Sequence, residues 1–383
     1  MLYFLHPCLR DFFFGFNVLR YITFRSVAAA ITSFIICVVA GPWIIGKLKR
    51  VGITERRGKN DSRHLETLHK EKKGTPTMGG VLIGIAVLFS CLLWANLSNR
   101  FILLVLFVFV WLGILGFADD FTKLRSTPHG LRSRNKFIGQ ILLGLIVGLY
   151  LFYHRSGTAV LWNTDVVDGN YLPYLTRGLT PVLTVPFCKE LFLNLSWFYI
   201  IFIVLVIVGS SNAVNLTDGL DGLAAGNVIF VALVYAIFAY VVGNWQISKY
   251  LGIMFVEGSG ELAVFCSSLV GACLGFLWFN AYPAQVFMGD TGSLALGGAI
   301  GAVAVVTKQE LLLIIAGGIF VVEVLSVIIQ VVSFRLCGKR VFKIAPLHHH
   351  FEFHGWAEPK VIVRFWIIAA IFAVLSLSTL KLR

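Results

Sequence analysis

Two adjacent aspartates, Asp119 and Asp120, close a long apolar run in the segment GILGFADDFTKLR. Neighbouring residues on a helix point about 100° apart, so one carboxylate could face a metal while the other faces a second reactant. A solvated helix end is the alternative interpretation, but acids at a helix C-terminus oppose the helix dipole. The lysines that follow, Lys123 and Lys136, could bind anionic ligands or lipid headgroups. The aspartate pair is therefore a candidate catalytic site.

A second acidic segment, SNAVNLTDGLDGLAAG, covers residues 211–226. Asn215, Asp218 and Asp221 recur every three residues, so they share one face if the segment is helical. The segment has no basic residue, although other polar loops of the chain are basic, which favours a polar ligand or a cation. A calcium-binding EF-hand is disfavoured, because the longer loop and its final glutamate are missing.

A third segment, FNAYPAQVFMGDTGS, covers residues 279–293 and opens an apolar span. Asp290 lies in its glycine-flanked turn and is a candidate metal ligand. A helix start at this place would also present free N–H groups to a phosphate. Asn280 and Phe287 are placed to hydrogen-bond and to stack on a nucleobase. A capped turn with Asp290 as helix starter is the structural alternative.

Two further segments suit phosphate groups. In KKGTPTMGG, residues 72–80, exposed backbone N–H groups and the charge of Lys72 suit a phosphate, although a basic loop flanking a membrane has the same composition. In APLHHHFEFHGW, residues 345–356, three histidines stand in a row. They cannot all bind one ion from a helix because their side chains fan out, but histidine suits phosphate binding and proton transfer near neutral pH.

The composition predicts an all-α polytopic membrane protein. The 383 residues are 58% hydrophobic and 13% charged, whereas soluble domains carry about 25% charged residues. Apolar runs of about 20 residues span a bilayer, and backbone polar groups in lipid must bond within the chain, which favours helices here. The seven cysteines form no CxxC pair, so neither a zinc site nor a disulfide framework is indicated.

Ten apolar spans are predicted, which places both termini on the same side of the membrane. They lie at about 23–46, 77–97, 101–118, 137–154, 197–212, 224–242, 262–279, 293–306, 311–336 and 363–380. The polar segments on one side carry 19 lysines and arginines, whereas those on the other side, with the two ends, carry 10. Since basic residues are enriched in cytoplasmic loops, we predict that the termini are periplasmic. The predicted cytoplasmic loops are about 47–76, 119–136, 213–223, 280–292 and 337–362.

Residues 1–383 are predicted to form a single integral-membrane domain, because no large soluble segment interrupts the spans. The longest predicted periplasmic segment, about 155–196, suits a small hairpin and a surface helix. The net charge of +13 is attributed to the asymmetry of the loops rather than to nucleic-acid binding.

All the chemically dense segments lie in the predicted cytoplasmic loops. Carboxylates suit Mg²⁺, which takes one or two carboxylates together with substrate phosphates, and neighbouring basic residues suit a pyrophosphate. The sequence therefore predicts phosphoryl chemistry at the cytoplasmic membrane surface. It contains no Walker A motif and no kinase signature, which disfavours ordinary ATP hydrolysis. An ion-coupled transporter is the alternative from another class, but it would more often place its acids at mid-bilayer. A non-catalytic scaffold would need none of these acids and histidines.

The motifs GTPTMGG, FADDFTK, NLTDGLDG, FMGDTGS and APLHHHFE together resemble the phospho-N-acetylmuramoyl-pentapeptide transferases (MraY), a branch of the polyprenyl-phosphate N-acetylhexosamine-1-phosphate transferase superfamily. The resemblance covers essentially the whole chain. It implies ten membrane helices, a bent ninth helix beside a lipid groove, a homodimer and a location in the bacterial inner membrane. The implied reaction converts UDP-MurNAc-pentapeptide and undecaprenyl phosphate into lipid I and UMP, with Mg²⁺. A sister transferase that uses another UDP-N-acetylhexosamine is the nearest alternative.

The resemblance also implies roles for single residues. Asp290 is implied as the principal Mg²⁺ ligand. Asp119 and Asp120 form an acidic pair, of which one positions or deprotonates the lipid phosphate while the other supports the metal. His348 is implied as a further catalytic residue. Substrate contacts are implied for Lys72, Thr75, Lys123, Lys136, Asn215, Asp218, Asp221, Asn280, Phe287 and His349. Glu323, an acid inside the ninth span, is a functional candidate by default, although a structural hydrogen bond fits it equally well.

Overall fold

The computed structural model describes residues 2–4, 14–51, 74–125, 130–154, 158–167, 170–177 and 181–381. Its helices are α1 (Ile22–Arg50), α2 (Gly80–Trp94), α3 (Arg100–Arg125), α4 (Ser133–Tyr153), α5 (Phe198–Thr217), α6 (Leu223–Val242), α7 (Trp245–Leu251), α8 (Leu262–Asn280), α9 (Gly289–Val306), α10 (Leu312–Ala316), α11 (Gly318–Cys337), α12 (Leu347–Glu352) and α13 (Glu358–Ser378). Short 3₁₀ turns at Phe14–Arg20 and Ser259–Glu261 precede α1 and α8.

Nine helices in the described part of the chain are long and apolar enough to cross a membrane. They are α1, α3, α4, α5, α6, α8, α9, α11 and α13, and each coincides with a predicted span. At the remaining span lies α2, whose 15 residues extend only about 22 Å, less than the hydrocarbon core of about 30 Å. The prediction of an all-α polytopic membrane protein is confirmed, with one span shorter than expected.

Several predicted span boundaries differ from the structure. In the third span, α3 continues to Arg125 instead of ending at residue 118, so Asp119 and Asp120 lie within the helix and not in a loop. The ninth span is divided at Gly317 into α10 and α11, in the span for which the resemblance implies a bend. In the eighth, α9 begins at Gly289 and not at residue 293, because polar residues form its first turn. In the fifth, α5 continues to Thr217, so the loop that follows is shorter than predicted.

A cavity of about 320 Å³ lies between α5, α9, α10 and α11. Its lining is apolar apart from Ser210 and Glu310. Leu205, Ile314 and Leu325 line it and are exposed on the surface of the bundle. The cavity therefore opens sideways, towards the space that lipid chains fill around a membrane protein.

The strands lie outside the spans. Strands β1 (Thr158–Val167) and β2 (Asn170–Arg177) form an antiparallel hairpin, with the two-residue β5 (Phe255–Val256) beside β1. Strands β3 (Val182–Val185) and β4 (Cys188–Asn194) form a second hairpin. The predicted hairpin in 155–196 is therefore confirmed. The surface helix expected there is wrong for the described residues of that segment, whose β-branched and aromatic residues favour strands; α7 lies instead between α6 and α8.

Helices α8 and α9 form the centre of the bundle. Helix α8 packs against α1 and α6, and α9 packs against α3 and α5. Every residue of α9 from Thr291 to Val306 is buried, and most of them are glycine, alanine or valine, which lets neighbouring helices approach closely. A Cβ atom on Gly80 of α2 would lie 2.1 Å from the backbone nitrogen of Gly292. The start of α9 is therefore fixed between its neighbours.

A buried ion pair joins three helices at the end of the bundle where α3 begins. Arg25 of α1 donates to both carboxylate oxygens of Glu261, over 2.7 and 2.5 Å, and to the carbonyl of Trp94 over 3.1 Å. The backbone N–H of Asn96 donates to Glu261 over 3.2 Å. Because Arg25 is 1% exposed, its charge is compensated almost wholly by these protein groups.

The connection between α9 and α10 contains a second group of buried polar residues. Lys308 has a φ of 57°, and its Nζ lies 3.8 Å from the centre of the Tyr199 ring. The Thr184 hydroxyl donates to the Lys308 carbonyl over 2.6 Å, and the Tyr199 hydroxyl donates to Glu310. Burial lowers the pKa of Lys308 to about 8 and raises the pKa of Glu310. These contacts attach the second hairpin and α5 to the end of α9.

We expect Arg25→Met to destabilise the protein by about 3–5 kcal/mol, because it leaves the buried Glu261 carboxylate without its partner. The measurement is thermal unfolding in detergent, followed by tryptophan fluorescence. Lys381→Met is the matched control, since Lys381 contacts the Tyr250 hydroxyl at an exposed position. Equal unfolding temperatures for the two variants would contradict the role given to the Arg25–Glu261 pair.

Candidate active site

Three carboxylates converge where α3 ends and α9 begins. Asp119 and Asp120 lie in the last two turns of α3, and Asp290 lies in the first turn of α9. Ligand oxygens of the three lie within 4.8 Å of one another. Asp119 and Asp120 are buried and Asp290 is half-buried. The structure thus brings together the acids of two motifs separated by about 170 residues.

Asp120 accepts hydrogen bonds from the N-terminal residues of α9. One of its oxygens accepts the backbone N–H of Asp290 over 3.2 Å, and the other accepts the backbone N–H of Thr291 over 3.0 Å and the Thr291 hydroxyl over 2.8 Å. The first N–H groups of a helix have no partner within the helix, and a negative charge there is favourable. Asp120 therefore stabilises the N-terminus of α9, which offsets its unfavourable position near the C-terminus of its own helix.

Asp119 and Asp290 share two lysines. Lys123 Nζ lies 2.7 Å from Asp119 Oδ2 and 3.1 Å from Asp290 Oδ2. Lys136, from α4, pairs with the same oxygen of Asp290 and lies 3.5 Å from Asp119 Oδ2. The backbone N–H of Leu131 donates to the other oxygen of Asp119 over 2.8 Å. Both lysines thus pair with carboxylates of the chain itself, and their contact with an anionic ligand or a lipid headgroup stays a prediction.

The donor atoms of this cluster fit a hard divalent cation. All three acids offer carboxylate oxygens, which Mg²⁺ and Ca²⁺ prefer. Three carboxylates and two ammonium groups carry one formal negative charge, so a divalent cation would make the cluster positive. A positive cluster of low exposure would attract anionic substrates strongly, because charges interact more strongly where water is excluded. The carboxylates could therefore bind a metal, with the lysines left to meet anions.

Asn215 is oriented towards the carboxylate cluster from α5. Its amide Nδ2 donates to Asp290 Oδ1 over 2.8 Å and to the Ser293 hydroxyl over 2.9 Å. Since Lys123 and Lys136 approach Asp290 Oδ2, Asn215 holds the other oxygen of that carboxylate. The side chain of Asp290 is thereby fixed from two sides.

Asp221 has a different environment, because α5 ends at Thr217 and Asp218 caps it. The helix that a shared face would need is interrupted, so Asn215, Asp218 and Asp221 do not form one face. Asp221 Oδ2 accepts the backbone N–H of Ala284 over 3.0 Å, and the Asp221 N–H donates to Glu358 over 3.0 Å. Asp221 therefore links the turn after α5 to the loop after α8 and to the start of α13.

The GTPTMGG and FMGDTGS motifs pair through their backbones. The N–H of Phe287 donates to the carbonyl of Pro76 over 2.8 Å, and the N–H of Gly79 donates to the carbonyl of Phe287 over 2.8 Å. The pairing also explains why α2 begins only at Gly80. Thr75 and Phe287, both half-buried, are thus held in neighbouring segments. Lys72 lies outside the described residues.

Asn280 is buried at the end of α8 and makes two structural hydrogen bonds. Its Oδ1 accepts the N–H of Gly222 over 3.0 Å, and its Nδ2 donates to the carbonyl of Val286 over 2.8 Å. Asn280 thus fixes the turn after α5 against the loop that leads to Phe287. Its contact with a nucleobase stays a prediction.

The histidine segment packs beside α11. His348 is 1% exposed, and its backbone N–H donates to Glu323 Oε1 over 3.1 Å. The other oxygen of Glu323 lies 3.2 Å from His348 Nδ1. Half-buried His349 has its Nδ1 2.8 Å from Glu352 Oε2. The sequence indicated no partner for Glu323, and the structure places it beside His348.

Several residues that hold the site were not singled out from the sequence. Thr291 and Ser293 stood inside a quoted motif at the start of an apolar span, where hydroxyl groups near a helix start can hydrogen-bond the backbone. Glu358, in the first turn of α13, gave a weaker signal of the same kind. Leu131 gave none, because it contributes only its backbone N–H.

The fold and the carboxylate–lysine cluster are those of a polytopic membrane glycosyl transferase. Residues 102–308 match glycosyl transferase family 4, and residues 72–83 match signature 1 of the phospho-N-acetylmuramoyl-pentapeptide transferases. Among similar proteins, the phospho-N-acetylmuramoyl-pentapeptide-transferase of Methylacidiphilum infernorum (isolate V4) is 48% identical over 390 residues, and that of Desulfotalea psychrophila (strain LSv54 / DSM 12343) is 50% identical over 385. Each alignment covers 100% of both chains. The chain therefore belongs to the phospho-N-acetylmuramoyl-pentapeptide-transferase family.

Gly116→Ala is expected to lower transferase activity about 100-fold, since displacing catalytic groups by about 1 Å has effects of that size. A Cβ atom on Gly116 would lie 2.2 Å from the carbonyl oxygen of Asp290, so α3 would have to move away from α9 beside the carboxylates. In the matched control Gly84→Ala, the new Cβ meets no atom within 4 Å. The control should keep its activity, and a fully active Gly116→Ala protein would refute the close packing of α3 on Asp290.

Proposed function

We propose that this chain transfers phospho-MurNAc-pentapeptide from UDP-MurNAc-pentapeptide to undecaprenyl phosphate, which gives lipid I and UMP. The observation that carries the proposal is the carboxylate–lysine cluster where α3 and α9 meet. Family membership supports the choice of substrates, since relatives about 50% identical over the whole chain carry the name of this transferase.

Both proposed substrates are anionic at the reacting centre. The transfer joins an oxygen of the lipid phosphate to the β-phosphorus of the nucleotide, and the bond from that phosphorus to the oxygen of UMP breaks. Bringing two phosphate groups together costs electrostatic energy, and phosphoryl transferases lower it with fixed cations. Lys123 and Lys136 provide such charges, and both approach the oxygens that Asp119 and Asp290 present to the cluster.

Mg²⁺ is the cation that we propose for the cluster, with Asp290 as its principal ligand. When bound, Mg²⁺ would neutralise phosphate oxygens and stabilise the charge of the leaving UMP. Asp119 is the better second ligand, because both oxygens of Asp120 already accept hydrogen bonds from the start of α9. Asp120 then acts by holding α9, and Asp119 Oδ2 faces the two lysines where the lipid phosphate would enter.

The cavity beside α11 supports a lipid acceptor. It is apolar and opens towards the surrounding lipid through Leu205, Ile314 and Leu325, so an isoprenoid chain could lie there without contacting water. Helix α5 carries one wall of this cavity and also Asn215, which holds Asp290. One helix would thus connect the chain of the lipid to the place where its phosphate reacts.

The remaining site residues are proposed to bind the nucleotide sugar. Phe287 is half-buried, and its backbone N–H donates to the carbonyl of Pro76, next to Thr75; its ring could stack on uracil. His348 is proposed as a catalytic residue that hydrogen-bonds a phosphate or moves a proton. Further substrate contacts are proposed for Lys72, Thr75, Asn215, Asp218, Asp221, Asn280 and His349.

The proposed location is the inner membrane of a bacterium, with the cluster at the cytoplasmic face and both termini in the periplasm. The excess of basic residues in the loops on the side of the cluster supports this orientation. The homodimer stays a prediction.

The test is release of UMP by the purified protein with undecaprenyl phosphate and either UDP-MurNAc-pentapeptide or UDP-GlcNAc. We expect UMP only with the muramyl nucleotide, only when the lipid phosphate is present, and none after Mg²⁺ is removed with EDTA. Turnover with UDP-GlcNAc alone would identify a sister transferase. Ion flux in liposomes without UMP release would favour a transporter.

A further inference from the structure

Glu323 is a carboxylate buried within a membrane helix. It lies on α11 with 0% exposure, and an acid buried in a membrane span is costly unless polar groups compensate it. Both of its oxygens meet the same residue. Oε1 accepts the backbone N–H of His348, and Oε2 lies 3.2 Å from the Nδ1 atom of that ring. The acid thus contacts both the backbone and the ring of one histidine.

The opposite edge of the His348 ring is also fixed. A Cβ atom on Gly219 would lie 2.2 Å from His348 Nε2, so the ring fits against the turn after α5 only because residue 219 is glycine. This turn lies between Asp218, which caps α5, and Asp221, which holds the loop after α8. The ring is therefore held between α11 and the turn, with Nδ1 towards the carboxylate and Nε2 towards the turn.

We infer that Glu323 is a positioning residue that fixes the orientation and the tautomer of His348. A carboxylate beside Nδ1 favours the imidazole form that carries hydrogen on Nδ1, which leaves Nε2 able to accept a proton. Of the two roles proposed for His348, this form serves proton transfer. The same carboxylate accepts the backbone N–H of His348, which has no partner within the short α12. This inference rests on the proposed function, because it gives His348 a reaction to serve.

A double-mutant cycle distinguishes positioning of His348 from a purely structural role of Glu323. Glu323→Gln keeps the shape of the side chain and removes the charge. Partners that orient metal-ligating histidines typically contribute about 10–100-fold to activity, and by analogy we expect Glu323→Gln to lower kcat for UMP release by about 10-fold or more. In a His348→Ala background, the same substitution should change kcat by no more than about twofold, because it no longer has a ring to orient.

Three further variants complete the experiment. Glu323→Asp keeps a carboxylate and should retain more activity than Glu323→Gln; it replaces Glu323→Gln in the cycle if that variant does not fold. Gly219→Ala should lower kcat by displacing the same ring. Ser326→Ala is the control, since Ser326 is buried one turn further along α11 and donates to the Glu323 backbone carbonyl; it should behave like the wild type.

Two results would overturn the inference. Glu323→Gln could lower kcat by the same factor with and without His348, or it could leave kcat unchanged. Failure of the proposed function gives a different result, because the wild-type protein would then release no UMP from the muramyl nucleotide. Unfolding temperatures and UMP affinity of each variant show whether a loss of kcat reflects unfolding.

Discussion

The contact between Asp120 and the start of α9 is the interaction on which the rest of the site depends. Helix α9 is buried along almost its whole length, so its first turn can take only one position relative to α3. Asp120 satisfies the free N–H groups of that turn, and the neighbouring Asp119 then faces Asp290. With both carboxylates in place, two lysines from α3 and α4 can pair with each of them.

The membrane environment explains why the buried charged side chains occur in ion pairs or hydrogen-bonded clusters. A single charge in hydrocarbon costs several kcal/mol, and the buried ionic groups described above are compensated by partners from other segments. Arg25 and Glu261 join α1 to α8, whereas Glu323 and His348 join α11 to α12. The carboxylate–lysine cluster differs from these pairs, since Lys123 keeps 37% of its side chain exposed. Partial exposure allows this cluster to exchange its internal ion pairs for contacts with ligands.

Much of the fold followed from hydrophobicity alone, since a bilayer requires long apolar helices. The sequence could not show that α2 would be short, because its start is set by backbone pairing with the distant Phe287. The acids of the site were found because Asp119, Asp120 and Asp290 stand at the ends of apolar runs. The different roles of Asp119 and Asp120 were not predictable, because they depend on which carboxylate accepts the N–H groups at the start of α9. Asn215, Asp218 and Asp221 would share one face only in a continuous helix, but α5 ends between the first two of them. For Glu323 and His348, 25 residues apart, spacing gave no indication of contact.

Asp290 and Asp119 are proposed to bind a divalent cation beside Asp120, and Mn²⁺ binding to the purified full-length protein measures this binding without depending on catalysis. Loss of the free-ion signal in electron paramagnetic resonance measures the bound Mn²⁺. We expect a saturable site in the wild type and in the control Glu257→Gln, whose side chain is exposed, and a loss of that site in Asp290→Asn. Equal Mn²⁺ binding by the wild type and Asp290→Asn would contradict this proposal.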